Sequence, residues 1–281
     1  MTFRRAADIG AAALAALVFF GSPAWAAKPA RIVSLNLCTD QLLLSLAPRE
    51  NIAALSFLVA DPISSAYTAE ARGIKLLRGQ AEEILPLKPD LVFAGLFTTP
   101  ATIRILKRFG IPVVTVQAAT NFATIERNIN LVARAIGFPE RGKKLIEKLR
   151  ETLPPESGTH AKPRPIAALL WANGFSSGRG TLSHAVIERA GFRNLASLLG
   201  QPGTHVLPME RLVEQGPDIL VIGHPSPYPS LANKLLLHPA LRAAFKAKPR
   251  IAIGDGLWLC GTPATARAVR LLSDKWKEAS K

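Results

Sequence analysis

The residues able to do chemistry are few and widely spaced. There are five histidines (His160, His184, His205, His224 and His238) and two cysteines, Cys38 and Cys260. All five histidines fall in the second half of the chain. A bare zinc or manganese ion needs several His, Asp or Glu ligands converging on it, and the first half has no imidazole to offer. No CxxC pair or Cys/His cluster occurs, which excludes a zinc ribbon and a thioredoxin-type site. Ser183 and His184 adjoin at the start of an expected helix, where neighbouring side chains diverge, so they make a poor nucleophile–base pair. No GxSxG, HExxH or phosphate-binding loop is present. Neither a catalytic residue nor a metal site is therefore assigned.

The elements that must position these residues alternate along the chain. Apolar, β-branched runs predict strands at residues 31–37, 52–57, 90–94 and 112–116, with helical patterns at 40–46, 82–87, 100–109 and 124–136. A second series has strands at 165–171, 218–222 and 250–254, and helices at 181–190, 209–215, 231–245 and 265–278. Such alternation predicts α/β architecture: parallel sheets covered on both faces. Between the series, Pro139 and Glu140 open a helix whose apolar residues Leu145, Ile146 and Leu149 keep i, i+3/i+4 spacing. Pro154 and Pro155 stop it. It is expected to connect two lobes; another surface helix is the plainer alternative. An internal echo supports two lobes. Glu82 stands eight residues before Asp90, and Glu210 eight before Asp218; in each case Pro-Asp leads into a buried strand ending in Gly, Gly95 or Gly223.

Composition bounds the rest. The chain has 281 residues, 48% hydrophobic and 20% charged, which is globular rather than disordered. Its formal charge of +15 favours anionic partners without choosing one. Arg4 and Arg5, the apolar run 9–20 and Ala24-Trp25-Ala26 form a secretory signal, with cleavage expected after Ala26. That run rises about 18 Å as a helix, too short for a bilayer core, so no membrane anchor is expected. The predicted organisation is a signal peptide (1–26), an N-terminal lobe (27–138), a connector helix and linker (139–160) and a C-terminal lobe (161–281).

The ordered set of segments starting at Arg31, Leu87, Gly110, Gly191 and Gly216, with the long helix between the third and fourth, resembles the periplasmic substrate-binding proteins of ABC importers for ferric siderophores, haem and cobalamin. The resemblance implies two Rossmann-like lobes joined by one long connector helix, ligand held in the cleft between them, and limited closure. It implies no intrinsic cofactor, a transported metal chelate or tetrapyrrole, a periplasmic monomer and ABC permease subunits as partners. It also implies that Glu82 and Glu210 dock onto the permease; as isolated surface carboxylates they would matter little.

Loops at the carboxyl ends of parallel strands form the crevice in such folds. They carry Cys38, Tyr67, Phe97, Phe175, Arg179, Trp258 and Cys260, with Arg78 just before the Glu82 helix. Trp258 is expected either as a flat ligand platform or as core packing. Arg78 and Arg179 suit carboxylate or hydroxamate oxygens, or are merely solvated. Tyr67 is a phenolate ligand to haem iron or a wall residue. The N-terminal loops carry few aromatics, and Leu77 stands where cobalamin binders tend to show Trp, a departure that weighs against cobalamin. Cys38 and Cys260, one per lobe, stand as a disulfide, as soft ligands or as unrelated small residues. Reduced thiols are favoured, because a bond between the lobes would clamp the cleft against a bulky chelate. The alternative to a transport role is an exported hydrolytic or transferase-type enzyme with an unrecognised site. Export and the lack of a reader motif argue against nucleic acid.

Overall fold

The computed structural model describes residues 28–155, 164–223 and 239–280. The signal segment, the linker from 156 to 160, residues 231–238 of one expected helix, and His160, His224 and His238 lie outside the described residues.

The first half builds a parallel sheet in the order β3-β2-β1-β4-β5, from β1 (Ile32–Ser34), β2 (Ile52–Ser56), β3 (Leu76–Leu77), β4 (Leu91–Gly95) and β5 (Val113–Val116). Its strands alternate faces with period two. Ile32, Leu55 and Phe93 meet one core with α1 (Leu37–Leu46), α4 (Phe122–Ala135) and α5 (Pro139–Thr152). Val33, Ala54 and Val92 meet another with Ile84 of α2 (Ala81–Ile84) and Leu106 of α3 (Pro100–Arg108). Two covered faces explain why β4 is buried along its whole length.

The second half repeats the plan. β6 (Ile166–Leu170), β10 (Ile219–Gly223) and β11 (Arg250–Ile253) stand as β1, β4 and β5 do, and β8 (Arg193–Asn194) flanks β6 in parallel. Its helices are α6 (Leu182–Arg189), α7 (Leu195–Leu198), α8 (Met209–Gln215), α9 (Pro239–Ala244) and α10 (Ala264–Ala279). An antiparallel ribbon of β7 (Phe175–Ser177) and β9 (Thr204–Val206) is added beside it. β3, β7, β8 and β9 have two or three residues each, too short for periodicity to reveal.

The echoed Pro-Asp turns have a defined task. Asp90 donates its N–H to the Arg31 carbonyl (2.9 Å) and accepts the Arg31 N–H on its carboxylate (2.8 Å). Asp218 does the same with Ile166, both at 2.8 Å. Each carboxylate thus closes the foot of the central parallel pair. The turns before them use a left-handed residue, Lys88 at φ 46° in one lobe and Gly216 at φ 50° in the other.

The connector α5 spans 14 residues, about 21 Å at helical rise. It lies against α4 where Gly142 leaves room; a Cβ there would stand 2.6 Å from that of Ala133. Ile146 and Leu149 enter the first core, and Leu153, just past the helix, packs against the cores of both lobes.

Candidate functional site

Between the lobes lies a cavity of about 830 Å³. The first lobe lines it with Ile63, Phe97 and Ala118–Thr120, from segments that follow β2, β4 and β5. The second contributes Trp171 and Asn173 after β6, Phe175 and Ser177 on β7, Thr204 on β9, Thr181 and Ser183 at the start of α6, and Asp255, Trp258 and Leu259 after β11. Strand ends face a cleft because parallel strands of each sheet terminate together.

The lining is aromatic and hydroxylic. Phe97 is 85% exposed and stands at the rim; Phe175 is 40% exposed on the opposite lobe. Ser177 and Thr204 pair their hydroxyls at 2.9 Å across the ribbon, on the face shared with Phe175. Asp255 is the one ionisable side chain in the described lining, and its carboxylate accepts a hydrogen bond from Trp171 Nε1 at 3.3 Å.

Trp258 resolves its two expectations mostly towards packing. It is 3% exposed and meets Trp171 edge-on, with ring centroids 6.0 Å apart and planes at 70°. It borders the cavity but is almost wholly covered by its neighbours. Trp171, which no sequence motif singled out, sits over Gly223; a Cβ on Gly223 would fall 2.1 Å from the indole. Its place at the end of the first strand of the second lobe was the available signal.

Other candidates lie away from the lining. Arg78 is exposed and stacks on Phe57, 5.8 Å from the ring centroid. Arg179 is exposed, its carbonyl bonded by the Gly203 N–H. Tyr67 is half-buried in the turns after β2 and does not reach the cavity wall. Glu82 and Glu210 are exposed in the first turns of α2 and α8, and neither forms an ion pair among the described residues. Beside Glu82, Glu83 is occupied locally, accepting the N–H groups of Arg78 and Gln80.

The cysteines correct the preference for reduced thiols. Cys38 and Cys260 form a disulfide with Cα atoms 5.0 Å apart. The expected clamping of the cleft does not follow, because the cavity of about 830 Å³ stands open with the bond formed, and neither cysteine is among its lining residues. Cys260 is 1% exposed and packs in the first-lobe core, with Cys38 against it.

Two residues along α1, Asp40 is fully buried, accepting from the Ser56 N–H at 3.1 Å and from the Ser56 hydroxyl. Burial outweighs these bonds and pushes its pKa up from 3.8 to about 7. Ser183 and His184 point apart: Ser183 borders the cavity, while His184 Nδ1 lies 3.3 Å from Asn194 Nδ2. Burial lowers the His184 pKa. No group of three or more His, Cys, Asp or Glu suited to a metal occurs among the described residues.

Two α/β lobes, a connecting helix and a cleft at the strand ends define a solute-binding architecture. The periplasmic binding protein family model matches residues 32–253, and the chain belongs to that family. A cobalamin-binding protein of Halobacterium salinarum is 28% identical over 205 residues, covering 70% of this chain and 54% of the relative. An uncharacterized ABC transporter substrate-binding lipoprotein of Bacillus subtilis is 21% identical, covering 69% and 63%. The chain thus spans between half and two thirds of the length of the curated relatives it matches. Among solved structures, the periplasmic heme-binding protein of Vibrio cholerae superposes with a TM-score of 0.73 at 20% identity, covering 86% of this chain and 97% of that one. The apo heme-binding protein of Roseiflexus sp. RS-1 gives 0.72 at 23%, covering 89% and 99%. The vitamin B12 binding protein of Vibrio cholerae gives 0.66 at 20%, covering 90% and 99%. These likenesses establish the fold.

Proposed function

We propose that this chain is the solute-binding component of an ABC importer, exported by cleavage of residues 1–26 and acting as a periplasmic monomer. It captures a metal chelate or tetrapyrrole-type ligand in the inter-lobe cleft and hands it to a membrane permease, with Glu82 and Glu210 as the docking carboxylates. The observation that carries this reading is the 830 Å³ cavity between two lobes of the matched family. Its size suits a macrocycle, since small-molecule sites typically run to roughly 300–1,000 Å³.

Within that class, the described lining favours cobalamin. Three aromatic side chains (Phe97, Trp171 and Phe175) and the hydroxyl or amide groups of Thr120, Asn173, Ser177, Thr181 and Thr204 suit a macrocycle fringed with neutral carboxamides. An anionic ferric chelate calls for guanidinium or ammonium groups, and none stands in the described lining. The similarity to a cobalamin-binding relative points the same way. Native mass spectrometry with tryptophan fluorescence titration against cyanocobalamin, haemin and a ferric hydroxamate tests this. A 1:1 complex with unchanged cyanocobalamin, bound more tightly than the other two, is expected. Tighter haemin or hydroxamate binding refutes the cobalamin preference, and failure of all three at high micromolar concentration refutes the ligand class.

A further inference from the structure

Behind the hydroxyl-bearing wall of the cavity, the second lobe holds a buried amide with every polar atom engaged. Asn194, at the end of β8, is fully buried. Its Oδ1 accepts the Ala196 N–H at 3.1 Å and caps α7, while Nδ2 donates to the Ser177 carbonyl at 2.7 Å. These two bonds fix which way the amide points. The second Nδ2 hydrogen is therefore left for His184 Nδ1, 3.3 Å away. A donor there needs a lone pair opposite, so the imidazole is neutral and carries its proton on Nε2.

The same two residues are tied to the wall through the backbone. The His184 N–H donates to the Thr181 hydroxyl at 3.2 Å, and that hydroxyl donates to the Gly178 carbonyl at 2.8 Å. The Gly178 N–H donates to the Gly203 carbonyl at 2.8 Å, closing the end of the β7–β9 ribbon. Ser177, Thr181 and Thr204 line the cavity; His184 and Asn194 do not. The charged groups that bear on His184 are Glu188 on its own helix, which favours a proton, and Arg179 and Arg164, which oppose one. Glu188 is itself engaged, by Arg164 at 2.8 Å and by the Asn194 N–H at 3.2 Å. On β8, Arg193 is exposed. α10 meets α6 with apolar Val269 and Leu272 and with the Ser273 hydroxyl, which donates to the Ala190 carbonyl.

We infer that Asn194 and His184 are positioning residues of the ligand site: the neutral imidazole keeps the Asn194 amide aimed at Ser177, and that bond sets the Ser177–Thr204 hydroxyl pair against the ligand. An imidazolium would turn a second N–H against the amide N–H, and the two side chains would part. The wall then loosens and ligand is held less tightly. Burial, assisted by Arg179 and Arg164, lowers the His184 pKa from its ordinary 6.5, so the loss belongs to acid solution. The inference rests on the reading of the cavity as the ligand site.

The test uses the full exported chain and three variants. His184→Gln offers an amide oxygen in place of Nδ1, His184→Leu removes the acceptor, and Asn194→Asp keeps the α7 cap but cannot donate to Ser177. Hydrogen exchange of segments 175–178 and 203–206, corrected for intrinsic rates, is followed without ligand at pH 7.5 and pH 4.5. Cyanocobalamin affinity is measured at both values by tryptophan fluorescence. The parent should exchange about fivefold faster and bind about fivefold more weakly at pH 4.5, the effect of roughly one hydrogen bond. His184→Gln should match the parent at pH 7.5 and behave the same at pH 4.5, a rescue that a merely structural histidine would not show. His184→Leu and Asn194→Asp should show the faster exchange and weaker binding at both values. Parental exchange in a folded His184→Leu chain, or a pH dependence that persists in His184→Gln, overturns the inference whatever the ligand result. Parental affinity in a variant whose ribbon has loosened also overturns it. If Asn194→Asp fails to fold, the two variants at the half-buried His184 decide the matter. A parent that binds no cyanocobalamin while exchange behaves as stated refutes the ligand assignment alone.

Discussion

Asp40 is a carboxylic acid enclosed by the protein, and its titration is a stability statement. In the folded chain it holds its proton up to about pH 7, while the unfolded chain releases it near 3.8. Between those values the folded state binds the extra proton, so stability falls as pH rises through this window and levels off above it. Asp40→Asn keeps an acceptor for the Ser56 N–H and removes the charge. The variant is expected to be more stable than the parent above pH 7, with the gap closing towards pH 4, as urea midpoints at pH 4, 5.5 and 7.5 will show. A constant gap would discard the idea. At this scale little was legible beforehand: Asp40 reads as an ordinary polar residue in an amphipathic segment. What buries it is the approach of Ser56 at the end of β2, sixteen residues away.

At the scale of elements, the sequence was far more informative. Near-continuous apolar runs marked the long central strands β4, β6 and β10, because a strand covered on both faces has no polar side to show. The Pro-Asp echo was readable as helix, turn and strand. The partner of each carboxylate was not, since Arg31 and Ile166 lie 59 and 52 residues away. Asp90→Ala is expected to cost about 1–3 kcal/mol, because it leaves the backbone N–H groups of Ala30 and Arg31 without that acceptor. Asp218→Ala should cost a similar or smaller amount, with one such bond to Ile166. Thermal melts check both, and ligand affinity should stay within about twofold because the clamps lie at the strand ends remote from the cleft. A loss of affinity larger than the loss of stability would contradict a purely architectural role.

For the whole molecule, the disulfide and the carboxylates proposed for docking, Glu82 and Glu210, carry the expectations. The Cys38–Cys260 bond closes a separation of 222 residues, and its removal should lower stability by about 2–5 kcal/mol. Denaturant titration of the Cys38→Ser/Cys260→Ser variant against the parent measures this. Equal midpoints would mean that packing alone holds Cys260 and its neighbours against the first lobe. Reversal of Glu82 and Glu210 to Lys should abolish uptake and permease binding, with ligand affinity nearly unchanged, since both side chains are exposed outside the cavity lining. Uptake at the parental rate in the double variant would remove them from the interface; weakened ligand binding would place them in the cleft.

The sequence by itself determined the α/β alternation, the two-lobed plan, the connector helix and the strand-end loops from which a cleft had to be built. These follow from local periodicity and turn chemistry, written in neighbouring residues. Only the tertiary structure decided which loop residues face the cavity. Phe97 and Phe175 line it, Arg78 turns onto Phe57, Tyr67 stays outside, Trp258 packs edge-on, and Trp171 joins the wall over Gly223. It also decided that Cys38 and Cys260 are bonded to each other outside the cavity lining. The first outcome rests on packing within each lobe, as of Arg78 on Phe57 and of Trp171 over Gly223 and against Trp258; the second rests on how the lobes are seated, across a separation of 222 residues. For neither does a local sequence pattern exist.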